Sequence, residues 1–363
     1  MRVRGRLLAG AAVVSVATMS LPAAAGAATV QPGGALDITL TGFARFLGIG
    51  GDRDSFLLDR TQSTALDFFN DTEVHILARG RHDATGIEYG GTIELEADTD
   101  QTANTDETWL FLRGSFGEVR LGDEDGIADA DGMAVGAERI SKGIGTDGIE
   151  GDQWEEFAGS NKTYEAVGTS DATKIRYKTP SFDGFALGVS YTPNLEGIGS
   201  GSSNGDALAT KDAEADNVVE GGIAYEGEAL GVDLEVGLSG LVGDVNNEDE
   251  LGGDDFWQWQ AGAVVGLGDF KLGGSFLRQK IGALEYDAIS AGLSYDFGPL
   301  LLALTYGQFI DSDNLAVNDV ALDQPRLAIL SGSVPLMPGV TLDGDVGYFD
   351  NEIDGDAPVD GDG

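Results

Sequence analysis

Apolar and polar residues alternate along most of this chain. In Leu36-Asp37-Ile38-Thr39-Leu40-Thr41-Gly42-Phe43-Ala44-Arg45-Phe46 the even positions are apolar or Gly and the odd ones mostly polar. A period of two puts one set of side chains on each face of a β-strand. Glu73–Arg81 reads as the next strand. A turn at 83–86 follows, and then Ile87–Glu96 alternates again. Trp109–Arg113 and Glu118–Leu121 flank the tight turn 114–117. Further strands are predicted near 173–179, 185–192, 217–226, 231–242, 256–266, 270–280, 285–296, 300–310, 325–334 and 340–350, fifteen in all.

The connections alternate in length. Those at 83–86, 114–117, 181–184, 226–229, 266–269, 297–299 and 335–339 are tight. Those around 50–64, 98–106, 123–172, 193–216, 243–255 and 311–324 are longer, polar and acidic, and 281–284 is the exception. Short turns at one end and long loops at the other is the layout of a membrane β-barrel, whose strands alternate and never look continuously apolar. Beyond the N-terminal segment no run reaches the roughly 18–20 apolar residues of a membrane helix. The apolar strand faces end in aromatics: Trp257 and Trp259, Tyr295 and Phe297, Tyr191, Tyr225 and Tyr348. Amphipathic rings of this kind sit at the two membrane interfaces. The opposite faces carry Arg45, Arg79, Arg81, Glu94, Glu96, Lys174, Arg176, Arg278 and Lys280. Recurring charges on one face need water there, because a dry core does not accept them unpaired.

One stretch breaks the pattern. Between Gly122 and Thr173 lie roughly fifty residues without a strand period, and a loop this long in a compact domain is usually functional or disordered. From Asp123 to Glu156 it holds eleven acids against two bases, Arg139 and Lys142.

Charge and composition narrow the classes. The 363 residues carry 62 acids and 21 bases, a net charge of -41. Phosphate binding needs a basic surface, so nucleic acid is excluded as a partner. With no cysteine there are no disulfides and no thiolate metal sites. Residues 1–27 read as an export signal. Arg2, Arg4 and Arg6 precede the apolar run Leu7–Ala17, and Ala25-Gly26-Ala27 fits small-residue cleavage. The alternative is an uncleaved anchor. Removing three arginines leaves 18 bases against 62 acids, or -44, for residues 28–363.

Two hairpins carry a resemblance. The run TKIRYKTPSFDGFALGVSY (Thr173–Tyr191) and the segment FLRGSFGEVRLGD (Phe111–Asp123) resemble hairpins of the general diffusion porins of Gram-negative outer membranes, of the alphaproteobacterial type. The second is similar to the hairpin before the family's constriction loop. Leu110-Phe111-Leu112 departs slightly from the family's usual V-G-L. The resemblance implies an all-β fold, a sixteen-stranded transmembrane antiparallel barrel, with the third long loop folded inward over about 123–172. It also implies a homotrimer in outer-membrane lipid that passes small hydrophilic solutes and ions, with no cofactor. Porins end in a strand with a terminal aromatic, whereas this chain ends in the loop-like Asp350–Gly363. An odd strand count breaks antiparallel closure, and lipid tolerates no open edge. The expectation is that the last strand is missing from this chain, the alternative being that one strand has escaped notice.

The candidate site is the loop facing a basic wall. Its acids are Asp123, Glu124, Asp125, Asp129, Asp131, Glu138, Asp147 and Glu150. The wall is Arg45, Arg79, Arg81, Arg113, Arg120, Lys174 and Arg176, most of which alternate onto the inward side. Opposed charges across a narrow channel set ion preference, and surplus external acid concentrates cations, so a mild cation preference is expected. The rival reading pairs the arginines with Glu94 or Glu96. Weak calcium binding by Asp123, Asp125, Asp129 and Asp131 is a further candidate, since clustered carboxylates otherwise repel. The stretch Asp129–Glu138 matches an EF-hand loop only in part, with Ile127 at the first ligand position. Enzyme signals are weak. His75 and His82 sit at odd spacing, and no nucleophile elbow or zinc motif occurs. The competing classes are a secreted acidic β-protein that binds calcium or glycans, and a barrel enzyme.

Overall fold

The structure, a computed structural model, describes residues 11–19, 36–49, 67–97, 105–129, 133–145, 166, 168–196, 214–229, 231–246, 253–313, 316–317 and 320–353. Nearly all of this is strand. The elements are β1 (Ala11–Met19), β2 (Asp37–Ile49), β3 (Asp67–His82), β4 (Ile87–Glu96), β5 (Thr108–Gly114), β6 (Gly117–Asp123), α1 (Glu138–Ser141), β7 (Thr173–Lys178), β8 (Phe185–Glu196), β9 (Glu214–Ala229), β10 (Val232–Val245), β11 (Asp255–Leu267), β12 (Phe270–Ile281), β13 (Leu284–Asp296), β14 (Leu301–Asp313), β15 (Ala316–Val317), β16 (Val320–Met337) and β17 (Val340–Ile353).

All fifteen expected strands are present, as β2 to β14, β16 and β17. Each pairs antiparallel with its chain neighbour, with β14 stepping to β16 and β15 forming only a two-residue ladder with β16. Several strands run further into the long-loop side than their alternation predicts. β3 begins at Asp67 and β16 at Val320. Ladder pairing continues there beyond the alternating stretch, as in Gly48↔Phe68 and Leu322↔Ile353. The turn expected at 226–229 is displaced, because β9 continues to Ala229.

The fifteen strands leave one place open between β2 and β17. Residues 11–19 take it, pairing with β17 (Val13↔Asp345) and with β2 (Ser15↔Leu47). The sequence expects this segment to be an export signal rather than a strand. Two sheet edges with unpaired N–H and C=O groups accept any extended segment, and an apolar, β-branched run such as AAVVSVATM suits that place.

The antiparallel order segregates the connections. Tight turns such as the one containing Gly339 (φ +79°) lie at one end, and the connections 97–107 and 124–172 at the other. A type of turn that needs positive φ selects glycine there.

Burial is inverted relative to a soluble sheet protein. Leu110 is 62% exposed, and Leu187, Leu272 and Leu304 are likewise exposed on the outside. Gln260 is 1% exposed, and Ser190, Ser239, Ser290 and Thr305 are buried inside. An outward apolar band over a polar interior is the signature of a barrel in lipid. Aromatics gather at both rims of the band. Phe185 meets Tyr225 at 4.8 Å and Phe270 meets Tyr295 at 4.3 Å near the tight turns. Phe46 stacks on Phe68 at 5.6 Å near the long loops.

Candidate functional site

The segment after β6 turns into the ring and packs on its inner wall. Ile127, Met133 and Ile140 are fully buried, each burial contributing about 1.5–3 kcal/mol. The wall makes room through inward-facing glycines. A Cβ on Gly222 would lie 2.8 Å from Met133 Cβ, and one on Gly292 would lie 2.9 Å from Ile140 Cβ. Gly188, Gly237 and Gly262 likewise lie against Ile127, Met133 and Val135. Small polar residues of the wall then meet the loop backbone. Ser239 Oγ donates to Ala128 O (3.2 Å), Gln260 Nε2 to Val135 O (3.4 Å), and Ala137 N donates to Ser290 Oγ (3.2 Å) at the start of α1. The main apolar clusters among the described residues therefore lie at the seam between loop and wall. One of them joins Val135, Ile140 and Ile144 to Val264 and Ala303.

The basic wall residues divide into two groups. Arg113, Arg120 and Arg176 form a chain of ion pairs with Glu118 and Glu124. Arg113 Nε donates to Glu118 at 2.5 Å, Arg120 to Glu118 and Glu124 at 2.8 Å each, and Arg176 to Glu124 at 3.2 Å. These ion pairs are made with Glu118 and Glu124. Arg176 and Lys174 are buried. The Lys174 ammonium donates to the Glu124 and Ser170 carbonyls instead of facing open water. The second group stays accessible. Arg79 and Arg81 are exposed, and Arg45 is half-buried beside Asp71 at 3.5 Å. His75 lies 2.6 Å from Glu73 and 3.5 Å from Glu94, while His82 contacts Thr85.

The acids are dispersed. Glu124 and Glu138 are buried under the loop. Asp123 accepts from the Thr173 hydroxyl at the end of β6. Asp129 is half-buried, and a Cβ on Gly168 would lie 3.0 Å from its Cβ. Asp131, Asp147 and Glu150 lie outside the described residues. The expected calcium quartet includes Asp131 and so lies partly outside the described residues. Asp125 groups with Glu107 and Asp171, whose oxygens lie within 4.8 Å of one another. Asp123 faces the neighbouring strand because its backbone is still in the β6–β7 ladder. Burial raises the Glu107 carboxyl to about 7, with Glu94, Asp171 and Glu124 adding to the shift. The Trp109 indole N–H, 3.0 Å away, opposes it.

Sequence reasoning missed Glu107 and also Glu220, a fully buried carboxylate on β9. The available signal was an acid on the inward face of a strand across from Ser190, which alternation places but cannot connect to a loop ninety residues earlier in the chain.

A family model described as Gram-negative porin matches residues 11–354. No curated protein sequence matches the chain. Among solved structures, a variant of the Rhodobacter blastica porin superposes with a TM-score of 0.54 at 13% identity, covering 86% of this chain and 99% of that one. OmpT of Vibrio cholerae, an outer-membrane protein solved in its trimer form, gives 0.54 at 12% identity, covering 95% of this chain and 89% of its own.

Proposed function

We infer how this protein works from one premise: the chain belongs to the Gram-negative porin family. It is an outer-membrane channel for passive diffusion, and its family and fold are those of a channel, not an enzyme. Passive diffusion requires no cofactor. The filter is the inward segment within 123–172. The observation that supports this reading is the burial of Ile127, Met133 and Ile140 against the inner wall. The cargo is small hydrophilic solutes and ions, since the interior wall is polar and charged. Cations are mildly favoured. Arg113, Arg120 and Arg176 are matched by Glu118 and Glu124, while the chain as a whole keeps a charge of -41. The apolar band meets outer-membrane lipid, and the working assembly is a homotrimer, as OmpT of Vibrio cholerae is in its solved form. Residues 1–27 are an export signal. Their release exposes the edges of β2 and β17, and the membrane-inserted form needs one strand in that place.

Deleting 127–151 and recording single-channel currents in planar bilayers tests the filter. Conductance is expected to rise, and an unchanged value would place the loop outside the current path. Reversal potentials in a salt gradient test selectivity, and a preference for anions would overturn it.

A further inference from the structure

The two ends of the inward segment are held by one carboxylate. Glu220 on β9 is fully buried. Its Oε2 accepts the Ile127 amide at 2.9 Å and the Ser190 hydroxyl, and its Oε1 accepts the Thr169 amide at 2.8 Å. Residues 127 and 169 are forty-two positions apart, near the two ends of the 123–172 connection. A glycine precedes each donor. A Cβ on Gly126 would clash with the Glu220 carboxylate, and one on Gly168 would sit 3.2 Å from Oε1. Ser190 lies directly across the ladder from Glu220 and also accepts the Ile127 amide, at 3.1 Å. Lys174 does the complementary work, drawing in the carbonyls of Glu124 and Ser170, again one from each end. Charge-assisted bonds of this kind are about twice as strong as neutral ones, and a buried carboxylate tolerates no loss of its donors.

We propose that Glu220 is the positioning residue of the constriction, a clasp that closes the neck of the loop and so sets the bore of the channel. This rests on the reading of 123–172 as the filter. Without the clasp, the apolar seam still docks the middle of the loop, but its two ends are free to separate.

The test records full-length channels in planar bilayers, with folded trimer checked by heat-modifiable migration. Four variants are compared: Glu220→Ala, Glu220→Gln, Gly126→Ala and the 127–151 deletion. The deletion is expected to raise conductance. Glu220→Ala and Gly126→Ala are expected to move conductance toward the deletion level, with added current noise from loop motion. Glu220→Gln, which keeps one acceptor, should fall between. In the deleted background, Glu220→Ala should add nothing. If the deletion raises conductance while Glu220→Ala and Gly126→Ala keep the wild-type level and noise, the clasp is wrong and the filter stands. If the deletion itself changes nothing, the filter reading falls first. If Glu220→Ala does not fold, Gly126→Ala decides alone, since it disturbs the same contact with the carboxylate intact.

Discussion

Two stretches of this barrel's inner wall differ. From β6 to β14 it packs against the described parts of the loop, with Gly145 reaching Ser331 of β16 and Asp345 of β17, and several of its polar residues are buried against loop backbone or one another. Lys174, Arg176, Glu220 and Gln260 are examples. From β2 to β4, among the described residues, Arg79 and Arg81 remain exposed. Charges of the same type on the same kind of strand thus have different surroundings. Those under the loop bond to the loop or to one another, and Arg79 and Arg81 stay accessible. On the proposed reading, the accessible ones are expected to act on the permeant and the covered ones to hold the loop.

The largest break in this comparison is to lift the cover. Gly262→Leu places a side chain where Val135 O now sits. Overpacking of this kind costs about 1–3 kcal/mol, so the loop is expected to leave the wall and conductance to rise. Ile127→Ala removes a fully buried side chain, a loss of about 2–5 kcal/mol from docking. The loop should become sensitive to protease while heat-modifiable migration of the barrel is unchanged. Loss of the barrel band would mean that the seam supports the whole fold.

A smaller effect comes from pH. Glu107 titrates near 7 rather than at 4.5 because burial disfavours its charge. Between those values the folded protein holds a proton that the unfolded chain has lost, so this group's contribution to stability falls as pH rises through the window. Over the same rise a negative charge appears beside Asp125 and Asp171. Cation preference is expected to increase from pH 6 to 8, and Glu107→Gln should flatten the change. The smallest effect is expected on the β2–β4 stretch. Arg81→Ala removes an exposed charge, with a stability change of about 0–1 kcal/mol and a slight gain in cation preference by reversal potential. A large conductance change there would mean that this stretch also shapes the narrowest point.

Much of the fold was legible because a two-residue period has a local cause. Successive side chains leave a strand on opposite faces, so Leu36–Phe46 or Leu284–Asp296 declares its strand and its two faces without help from elsewhere. The segregation of tight and long connections was equally local, and it identified 123–172 as the exceptional segment. The sequence did not disclose what each inward residue touches. Nothing in the local pattern shows that Gly188, Gly222, Gly262 and Gly292 lie against Ile127, Met133, Val135 and Ile140. Lys174 and Arg176 read as channel-facing cations until the loop neck covers them. The grouping of Asp125 with Glu107 and Asp171 has no signal in the local pattern.

The sequence by itself therefore determined the strands, their faces, the apolar band with its aromatic rims and the place of the exceptional loop. All of these follow from local geometry and solvent preference. Only the tertiary structure decided which charges are buried and which carboxylate accepts from both Ile127 and Thr169. Those depend on contacts between residues far apart in the chain, 153 positions in the case of Ala137 and Ser290, and no local pattern encodes a partner at that distance.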